Sequence, residues 1–325
     1  MSILYLTHQD LVDSSPDSAE IINAVEQGVF AHGEGRAVAA PTLSLSVPEI
    51  DGALYVVRGA ALDLGLTAIK SAGAFPTNRA RGLAPDAGLL VLHDIETGMP
   101  RAILEGSFIT TTRTAAMPAL GTTTLASPEA RVLGCVGARG IAALATRMIA
   151  ENMKLDEIRI HSASQASRDA AVQELSDGRA KVLSVDSWGE CIDGADIVIV
   201  GPGLTSDQRL LPSDLIAPGA TVISFGAYSS FDDNILEHID RVVMDRWADG
   251  TGGPLGPFIG NGKFSEAGVH AWFGDILAGR AEARTEQNQR VLLWHRGLGV
   301  CDITLAAMLL ERAQNAGLGT TLPYP

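Results

Sequence analysis

The sequence is short of aromatic residues and of cysteine, and each shortage excludes a class of protein. Aromatic residues make up 5% of the 325-residue chain, while glycine and alanine are abundant. That balance suits an α/β protein better than an all-β sandwich. The three cysteines, Cys135, Cys191 and Cys301, lie far apart and without a C-x-x-C spacing. We therefore expect buried free thiols in a reducing compartment rather than disulfides.

Positive charge and long apolar runs are also lacking. The chain has 24 lysines and arginines against 38 acidic residues, a formal net charge of −14, and no basic run. The sequence therefore lacks the cluster of basic residues that is typical of nucleic-acid-binding proteins. No run approaches the roughly 18 apolar residues of a membrane span. The N-terminus also lacks the charged and apolar regions of a signal peptide. These features predict a cytoplasmic protein that binds neither nucleic acid nor membrane.

Two frequent catalytic patterns are missing as well. The seven histidines show no metal-ligand spacing, and no serine lies in a G-x-S-x-G turn. The sequence therefore predicts neither a metal centre nor the nucleophile elbow of a serine hydrolase.

The apolar pattern divides the chain into two regions with different rhythms. Its length is that of two domains. Between residues 38 and 105 the pattern predicts short strands of an antiparallel or mixed sheet. From Arg131 strands alternate with helices, which requires a parallel sheet and an α/β fold. The strands predicted there are residues 132–136, 158–161, 181–185, 197–200, 221–225 and 242–244.

A glycine turn joins the first of these strands to an amphipathic helix. The turn and the first helical residue are Gly137, Ala138, Arg139, Gly140 and Ile141. This order is typical of a dinucleotide site, where the N–H groups at a helix N-terminus bind a pyrophosphate. Against the pattern G-x-G-x-x-A, Arg139 replaces the second glycine. We expect its guanidinium to pair with the pyrophosphate instead. An ordinary strand-to-helix turn is the alternative interpretation.

The residues after the second strand of this region bear on the choice of cofactor. Ser162, Ala163 and Ser164 stand where an acidic residue would bind the ribose of NAD and an arginine would favour NADP. Neither is present, so NAD is favoured by the missing arginine and NADP stays open. Gly201, Pro202, Gly226 and Thr111 complete the set of predicted cofactor contacts.

Three basic residues before the glycine turn are candidates for chemistry. Lys70 ends an apolar run, where burial would lower its pKa and suit it to proton transfer; a lysine that extends to solvent at a strand end is the alternative. Arg58 also follows an apolar run, and Arg113 lies in a threonine-rich segment. Either guanidinium could hold a carboxylate in a bidentate fork. An ion pair with a structural acid is the alternative for each.

Four segments in order along the chain resemble the ornithine cyclodeaminase/mu-crystallin family. Residues 70–78 look like its K-x-x-x-x-F/Y-P-x-N stretch, and residues 94–100 look like its D-x-x-T-G-x-P turn. Residues 109–116 are similar to its I-T-x-x-R-T-A-A segment. Residues 297–306 resemble its closing G-x-x-x-x-D helix, with Asp302 as the acid.

The resemblance implies a fold and a division of labour. It implies a Rossmann domain that binds NAD(P), at residues 117–293. It also implies an α+β domain for substrate binding and dimerisation, built from residues 1–116 and 294–325. Carried over by position, Lys70 would exchange a proton with the substrate nitrogen and Arg113 would hold the substrate carboxylate. A homodimer is therefore expected.

Two departures from the family pattern bear on the reaction. The arginine that often follows a proline in the first sheet is absent after Pro41, and Arg58 could compensate. Cyclodeaminases carry an aspartate two residues after a glycine at a strand end, where this chain has Tyr228. The missing acid argues against a cyclodeaminase. A phenol could donate a hydrogen bond or shuttle a proton; packing is the alternative role for Tyr228.

The sequence therefore predicts an NAD(P)-dependent reductase of a small 2-imino acid, such as a ketimine or iminosuccinate. In reverse the same enzyme is an amino-acid dehydrogenase. Two arginines would suit a dicarboxylate. The alternatives are an ornithine or lysine cyclodeaminase that recycles its NAD, and a nucleotide-binding protein that holds a small ligand without catalysis. Lys70 and Arg113 count against the last of these.

Overall fold

The computed structural model describes residues 2–50, 52–176, 180–201, 206–226, 228–247 and 253–325. The chain divides into two compact units. The first unit is Met1–Arg113 with Leu298–Pro325, and the second is Thr114–Gly297. We predicted these divisions after residue 116 and before residue 294. Thr111 and Arg113 therefore belong to the first unit.

The elements are numbered along the chain. The strands are β1 (Ser2–Leu6), β2 (Ala37–Ala39), β3 (Leu43–Val47), β4 (Gly52–Ala61), β5 (Leu66–Ala74), β6 (Asp86–Asp94), β7 (Pro100–Glu105), β8 (Val132–Val136), β9 (Glu157–His161), β10 (Lys181–Ser184), β11 (Ile197–Val200), β12 (Thr221–Ser224), β13 (Arg241–Met244), β14 (Ala271–Trp272), β15 (Val291–Trp294) and β16 (Thr320–Pro323). The helices are α1 (His8–Asp13), α2 (Ser18–Gly33), α3 (Gly106–Leu125), α4 (Ile141–Asn152), α5 (Gln165–Leu175), α6 (Trp188–Ile192), α7 (Ile235–His238), α8 (Gly256–Gly260), α9 (Phe273–Leu277) and α10 (Gly299–Asn315).

The first unit is built on a mixed sheet. Its strand order is β16-β1-β7-β6-β5-β4-β2, and β3 also pairs with β4. β1 and β7 run parallel, while the other recorded pairs are antiparallel. The prediction of an antiparallel or mixed sheet before residue 105 is confirmed. Both chain ends contribute strands, because β1 pairs with β16.

One face of this sheet is covered by helix α10, which packs against β4 and α2. Side chains alternate between the faces of a strand. Leu66, Ala68 and Lys70 of β5 are accordingly buried, while Ile69 between them is exposed. The helix approaches β4 closely because glycines meet at the contact: a Cβ on Gly299 would lie 2.7 Å from the Arg58 carbonyl oxygen. This close approach sets the position of the first turn of α10.

The opposite face of the sheet, called here the outer face, is apolar and exposed in this chain. The strand register determines which residues share this face, because it pairs Leu45 with Leu54 and Arg58 with Ile69. Its large exposed side chains are Val38, Leu43, Leu45, Leu54, Ile69 and Leu89. An apolar sheet face of this extent is typical of an interaction surface rather than of a solvated one.

The second unit contains the parallel sheet that the alternating pattern predicted. Its strand order is β10-β9-β8-β11-β12-β15-β13-β14. All recorded pairs in it are parallel. Helices connect most of these strands, which is the Rossmann arrangement, and the chain crosses over from β10 at one edge to β11, on the side of β8 away from β9. The predicted α/β fold class is therefore confirmed.

Two strands of this sheet were missing from our prediction. β15 lies between β12 and β13, and β14 lies at the edge beside β13. The four residues of β15, Val-Leu-Leu-Trp, are all buried. A strand buried on both faces lacks the alternation that marks a half-buried strand, and so short an apolar run is ambiguous.

Two findings concern the composition. The three cysteines are free and buried, as we predicted. Among the residues that the structure describes, no helix is long and apolar enough to cross a membrane.

Candidate functional site

The glycine turn in the second unit forms an open helix N-terminus. Gly137 has φ +125° and Gly140 has φ +55°, conformations that favour glycine. Gly140 is the N-cap of α4, and no side chain caps the helix there. The first N–H groups of α4 and its positive dipole end are therefore left for an anion.

Two strand ends lie against α4 with no space for a side chain. A Cβ on Gly137 or on Gly201 would in each case lie 2.7 Å from the Ala142 Cβ. Arg139, which replaces the second glycine of the motif, is exposed. The glycine requirement therefore falls on the first position of the turn and on the end of β11.

A groove of about 410 Å³ lies at this turn. Its lining includes six residues that we assigned to a cofactor from sequence: Gly137, Ala138, Arg139, Ser162, Ala163 and Gly201. Among the described lining residues, Arg139 is the only arginine, lysine or acidic residue. The groove therefore offers a cation and backbone N–H groups to a phosphate.

The other predicted cofactor residues are placed differently. Ser164 caps α5, since its side chain accepts a hydrogen bond from the Ser167 backbone N–H. Gly226 follows β12, and Thr111 is a partly buried residue of α3 in the first unit. Ile141 begins α4. Pro202 lies outside the described residues.

The arginine that follows the second-strand serines, Arg168, is held within the fold. Arg168 is buried, and its Nη1 donates to the Ser162 carbonyl oxygen at 2.6 Å. Its Nη2 pairs with Asp186 at 2.5 Å. This guanidinium is therefore partly neutralised and fixed by its own neighbours.

In the first unit three charged side chains meet below the sheet, and we call them the Lys70 cluster: Lys70 of β5, Arg113 of α3 and Asp302 of α10. Lys70 Nζ donates to Asp302 Oδ1 at 2.7 Å. Arg113 Nε donates to the same oxygen at 2.9 Å. The side chains of Lys70 and Asp302 are each 2% exposed. The cluster carries two cations against one carboxylate, which leaves one positive charge for a ligand.

Burial lowers the pKa of Lys70 to about 8, because the charged ammonium loses its hydration. The Asp302 carboxylate opposes this effect, and the Arg113 guanidinium adds to it. Lys70 is therefore poised to exchange a proton near neutral pH.

Two polar atoms of the Lys70 cluster are buried without a partner among the described residues. They are Asp302 Oδ2, an acceptor, and Arg113 Nη1, a donor. A buried polar group without a hydrogen bond costs free energy, so such atoms point to a ligand or to water. Arg113 thus forms the ion pair with an acid that was the alternative to carboxylate binding, and its Nη1 is still an unpartnered donor among the described residues.

The structure does not bring Arg58 to the Lys70 cluster. In the β4–β5 register Arg58 stands opposite Ile69, whereas Lys70 stands opposite Val57. Directly opposed residues share a face, so Arg58 lies on the other face of the sheet from Lys70. Its Nη2 donates to the Pro41 carbonyl oxygen at 3.2 Å. Tyr228 belongs to the second unit and is 44% exposed.

Comparison with known proteins identifies the family. The model of the ornithine cyclodeaminase/mu-crystallin family matches residues 5–317. The chain belongs to this family. The resemblance that the four motifs predicted is thereby confirmed.

Similar family members are enzymes of amino-acid chemistry. An alanine dehydrogenase of Archaeoglobus fulgidus is 23% identical, covering 100% of this chain and 99% of that protein. The solved Δ1-pyrroline-2-carboxylate reductase of Thermococcus litoralis, in complex with NADH and L-proline, has a TM-score of 0.90 at 24% identity. The match covers 98% of this chain and 99% of that one. An archaeal alanine dehydrogenase dimer with bound NAD has a TM-score of 0.92 at 21% identity, over 100% of both chains.

In this family member, three of the motif segments supply the Lys70 cluster. Lys70 starts the first segment, Arg113 lies in the third, and Asp302 lies in the closing helix. We named Asp302 from the motif without giving it a partner. The signal available in the sequence was an acid in the first turn of an otherwise apolar helix face, since Ile303, Leu305 and Ala306 beside it are buried.

We predict that Asp302→Ala lowers the free energy of unfolding by about 3–5 kcal/mol, because it leaves two buried cations without their counter-ion. Arg101→Ala is the matched control: it removes an exposed ion pair with Asp94 and should cost less than about 1 kcal/mol. Urea-induced unfolding at pH 7 measures both. Equal losses for the two variants would show that the Lys70 cluster does not depend on Asp302.

Proposed function

We propose that this chain is an NAD(P)-dependent reductase of small 2-imino acids, which in reverse acts as an amino-acid dehydrogenase. The observation that carries the proposal is the buried Lys70 cluster, with an ammonium of lowered pKa beside a guanidinium that has a free donor. The proposal is supported by the similar reductase in complex with NADH and L-proline and by the similar alanine dehydrogenase with NAD.

The groove of the second unit fits a dinucleotide. The positive φ of Gly137 and the two glycine contacts with Ala142 leave the backbone bare at the N-terminus of α4. A pyrophosphate would accept hydrogen bonds from the N–H groups of this turn, and Arg139 would pair with it. Ser162 and Ala163 would lie at the adenosine ribose. When bound, NAD(H) supplies or accepts the hydride.

We propose NAD as the cofactor, with NADP as the alternative. The arginine that follows the ribose serines in the sequence, Arg168, is engaged by Ser162 and Asp186. It is therefore not free to take a 2′-phosphate. No acidic residue occurs among the described residues that line the groove, so no carboxylate there would repel the 2′-phosphate of NADP.

The first unit would bind the substrate. Arg113 Nη1 would donate to the carboxylate of the imino acid, a charge-assisted hydrogen bond in a buried place. The net positive charge of the Lys70 cluster matches this single negative charge. Asp302 holds the Lys70 ammonium through Oδ1.

Lys70 would then move the proton. In the reductive direction its ammonium would give the substrate nitrogen the proton that the conversion of C=N to CH–NH requires in addition to a hydride. In the oxidative direction neutral Lys70 takes a proton from the amine. Arg58 is left out of this mechanism, because it lies on the other sheet face. A cyclodeaminase is not proposed, because Tyr228 offers a phenol where a substrate ammonium would need a carboxylate.

The first prediction of this proposal is catalytic. The protein should oxidise NADH when given a cyclic ketimine such as Δ1-pyrroline-2-carboxylate, or a 2-oxo acid with ammonia. Lys70→Met should lower kcat/KM for the imine by roughly 10²- to 10⁴-fold, because it removes the acid. The dissociation constant for NADH should stay unchanged, since the groove lies in the second unit.

The pH dependence sharpens this test. Because the pKa of Lys70 is about 8, kcat/KM for imine reduction should fall as pH rises through about 8. The reverse oxidation, which needs neutral Lys70, should rise over the same range. The residual activity of Lys70→Met should show neither the fall in the reductive direction nor the rise in the oxidative direction. Turnover that survives in this variant with an unchanged pH profile would refute the assigned role.

A second prediction concerns Arg139. Arg139→Ala should weaken NADH binding by roughly three- to tenfold, the effect of losing one charge-assisted hydrogen bond at an exposed site. KM for the imine should change little. Arg147→Ala on α4, the helix that follows Arg139, removes an exposed pair with Glu174; it is the matched control and should leave NADH binding unaltered. A change confined to the imine KM would contradict the assignment.

We also propose that the chain forms a homodimer through the outer face. Its exposed leucines would be buried by the same face of a second copy, an isologous contact. The similar archaeal alanine dehydrogenase is a dimer, which supports this assembly.

The dimer gives a third prediction. Leu45→Asp places a charge in the outer face, where Leu45 is 66% exposed, and should yield a monomer. Leu62→Asp is the control, since Leu62 is an exposed leucine in the turn after β4 and should leave the dimer intact. Analytical ultracentrifugation measures both variants. A monomeric wild type, or a dimeric Leu45→Asp, would contradict the proposal.

A further inference from the structure

The two carboxylate oxygens of Asp302 in the Lys70 cluster differ in the hydrogen bonds that they accept. Asp302 Oδ1 accepts from Lys70 Nζ at 2.7 Å and from Arg113 Nε at 2.9 Å. Asp302 Oδ2 has no partner among the described residues, although it is buried. A carboxylate can accept hydrogen bonds on both oxygens, so Oδ2 retains its full capacity as an acceptor.

The second open atom of the cluster has the opposite character. Arg113 Nη1 is a buried donor without a partner in the described part of the chain. The Arg113 guanidinium uses Nε on Oδ1, so its unpartnered Nη1 and the unpartnered Oδ2 of Asp302 belong to the same ion pair. A ligand that satisfies both must bring an acceptor and a donor close together.

An acyclic 2-imino acid or a 2-amino acid has this arrangement, and a cyclic ketimine has it once Lys70 has protonated its ring nitrogen. The carboxylate of each accepts, and the N–H on the neighbouring carbon donates. A 2-oxo acid has the same carboxylate but a carbonyl oxygen in place of the nitrogen. That oxygen has only lone pairs to set against Oδ2, so the buried carboxylate would stay unpaired and the two oxygens would repel each other.

We propose that Asp302 recognises the substrate nitrogen: Oδ2 accepts the N–H of a 2-imino or 2-amino acid whose carboxylate is bound by Arg113, and thereby selects against 2-oxo acids. The substrate class rests on the proposed function. The selection has a chemical purpose, because an acyclic imine in water coexists with its 2-oxo acid and ammonia. An acid site without such an acceptor would fill with the 2-oxo acid.

Lys70 is the competing candidate for this contact. As an ammonium it has only donors. It could accept an N–H only when neutral, and its nitrogen is already directed at Oδ1. Variants of Lys70 and Asp302 therefore separate the two assignments.

Two flat ring acids give a direct test. Pyrrole-2-carboxylate and furan-2-carboxylate have the same carboxylate and nearly the same shape, and differ by an N–H against an oxygen. We expect the full-length wild type, with and without saturating NADH, to bind the pyrrole acid at least about tenfold more tightly, as measured by isothermal titration calorimetry.

The variants assign that preference to an atom. In Asp302→Asn, the donors Lys70 and Arg113 hold the remaining amide oxygen, so the NH₂ group takes the place of Oδ2. The preference for the pyrrole acid should then vanish or reverse. Lys70→Met keeps Asp302 and should keep the preference. Thermal melting of each variant verifies that it is folded; if Asp302→Asn does not fold, the wild type and Lys70→Met decide.

Four results would overturn the proposal: equal affinities of the wild type for the two acids, binding of neither acid, loss of the preference in Lys70→Met, or its retention in Asp302→Asn. The imine-reduction assay is independent of this test. A pyrrole preference without imine turnover would leave Asp302 as the nitrogen acceptor and reject the reductase. Imine turnover with equal affinities for the two acids would support the reductase and reject Asp302 as the nitrogen acceptor.

Discussion

The first unit depends on a buried carboxylate shared by two cations. Asp302 can hold Lys70 and Arg113 only if the first turn of α10 lies directly on β4. The chain meets this demand with glycines: a Cβ on Gly59 would lie 3.1 Å from the Val300 backbone nitrogen, and one on Gly299 would lie 2.7 Å from the Arg58 carbonyl oxygen. A side chain at either position would move α10 away and leave buried charges apart. The close packing at the start of α10 therefore also determines whether the buried charges of the Lys70 cluster are balanced.

The same constraint explains which site residues could be predicted from sequence. Lys70 and Arg113 lie in segments whose residue types are unusual for their surroundings, so they were identified. Arg58 was grouped with them because it also follows an apolar run. The face that it occupies depends on the β4–β5 register, which pairs residues by long-range contact and has no local signature. A one-residue difference in that register would have placed Arg58 on the same face as Lys70.

The second unit was more predictable, because its strands and helices alternate in simple order. The turn before α4 and most strands of the sheet follow from local pattern. β15 does not, since its four buried residues follow a long polar stretch and show no alternation. Among the predicted cofactor residues, Ser164 has a structural contact that its local sequence favours: a serine before a helix favours the N-cap, and here its side chain accepts from the Ser167 N–H.

The imperfect glycine motif shows why motif letters and physical requirements differ. The first glycine and Gly201 each face Ala142, where a Cβ would lie at 2.7 Å, so neither position admits a side chain without movement. Position 139 is exposed and meets no such limit. A missing glycine is tolerated where the backbone has open space beside it. The arginine at that position can therefore add a positive charge to the groove without disturbing the contact between β8, β11 and α4 that forms it.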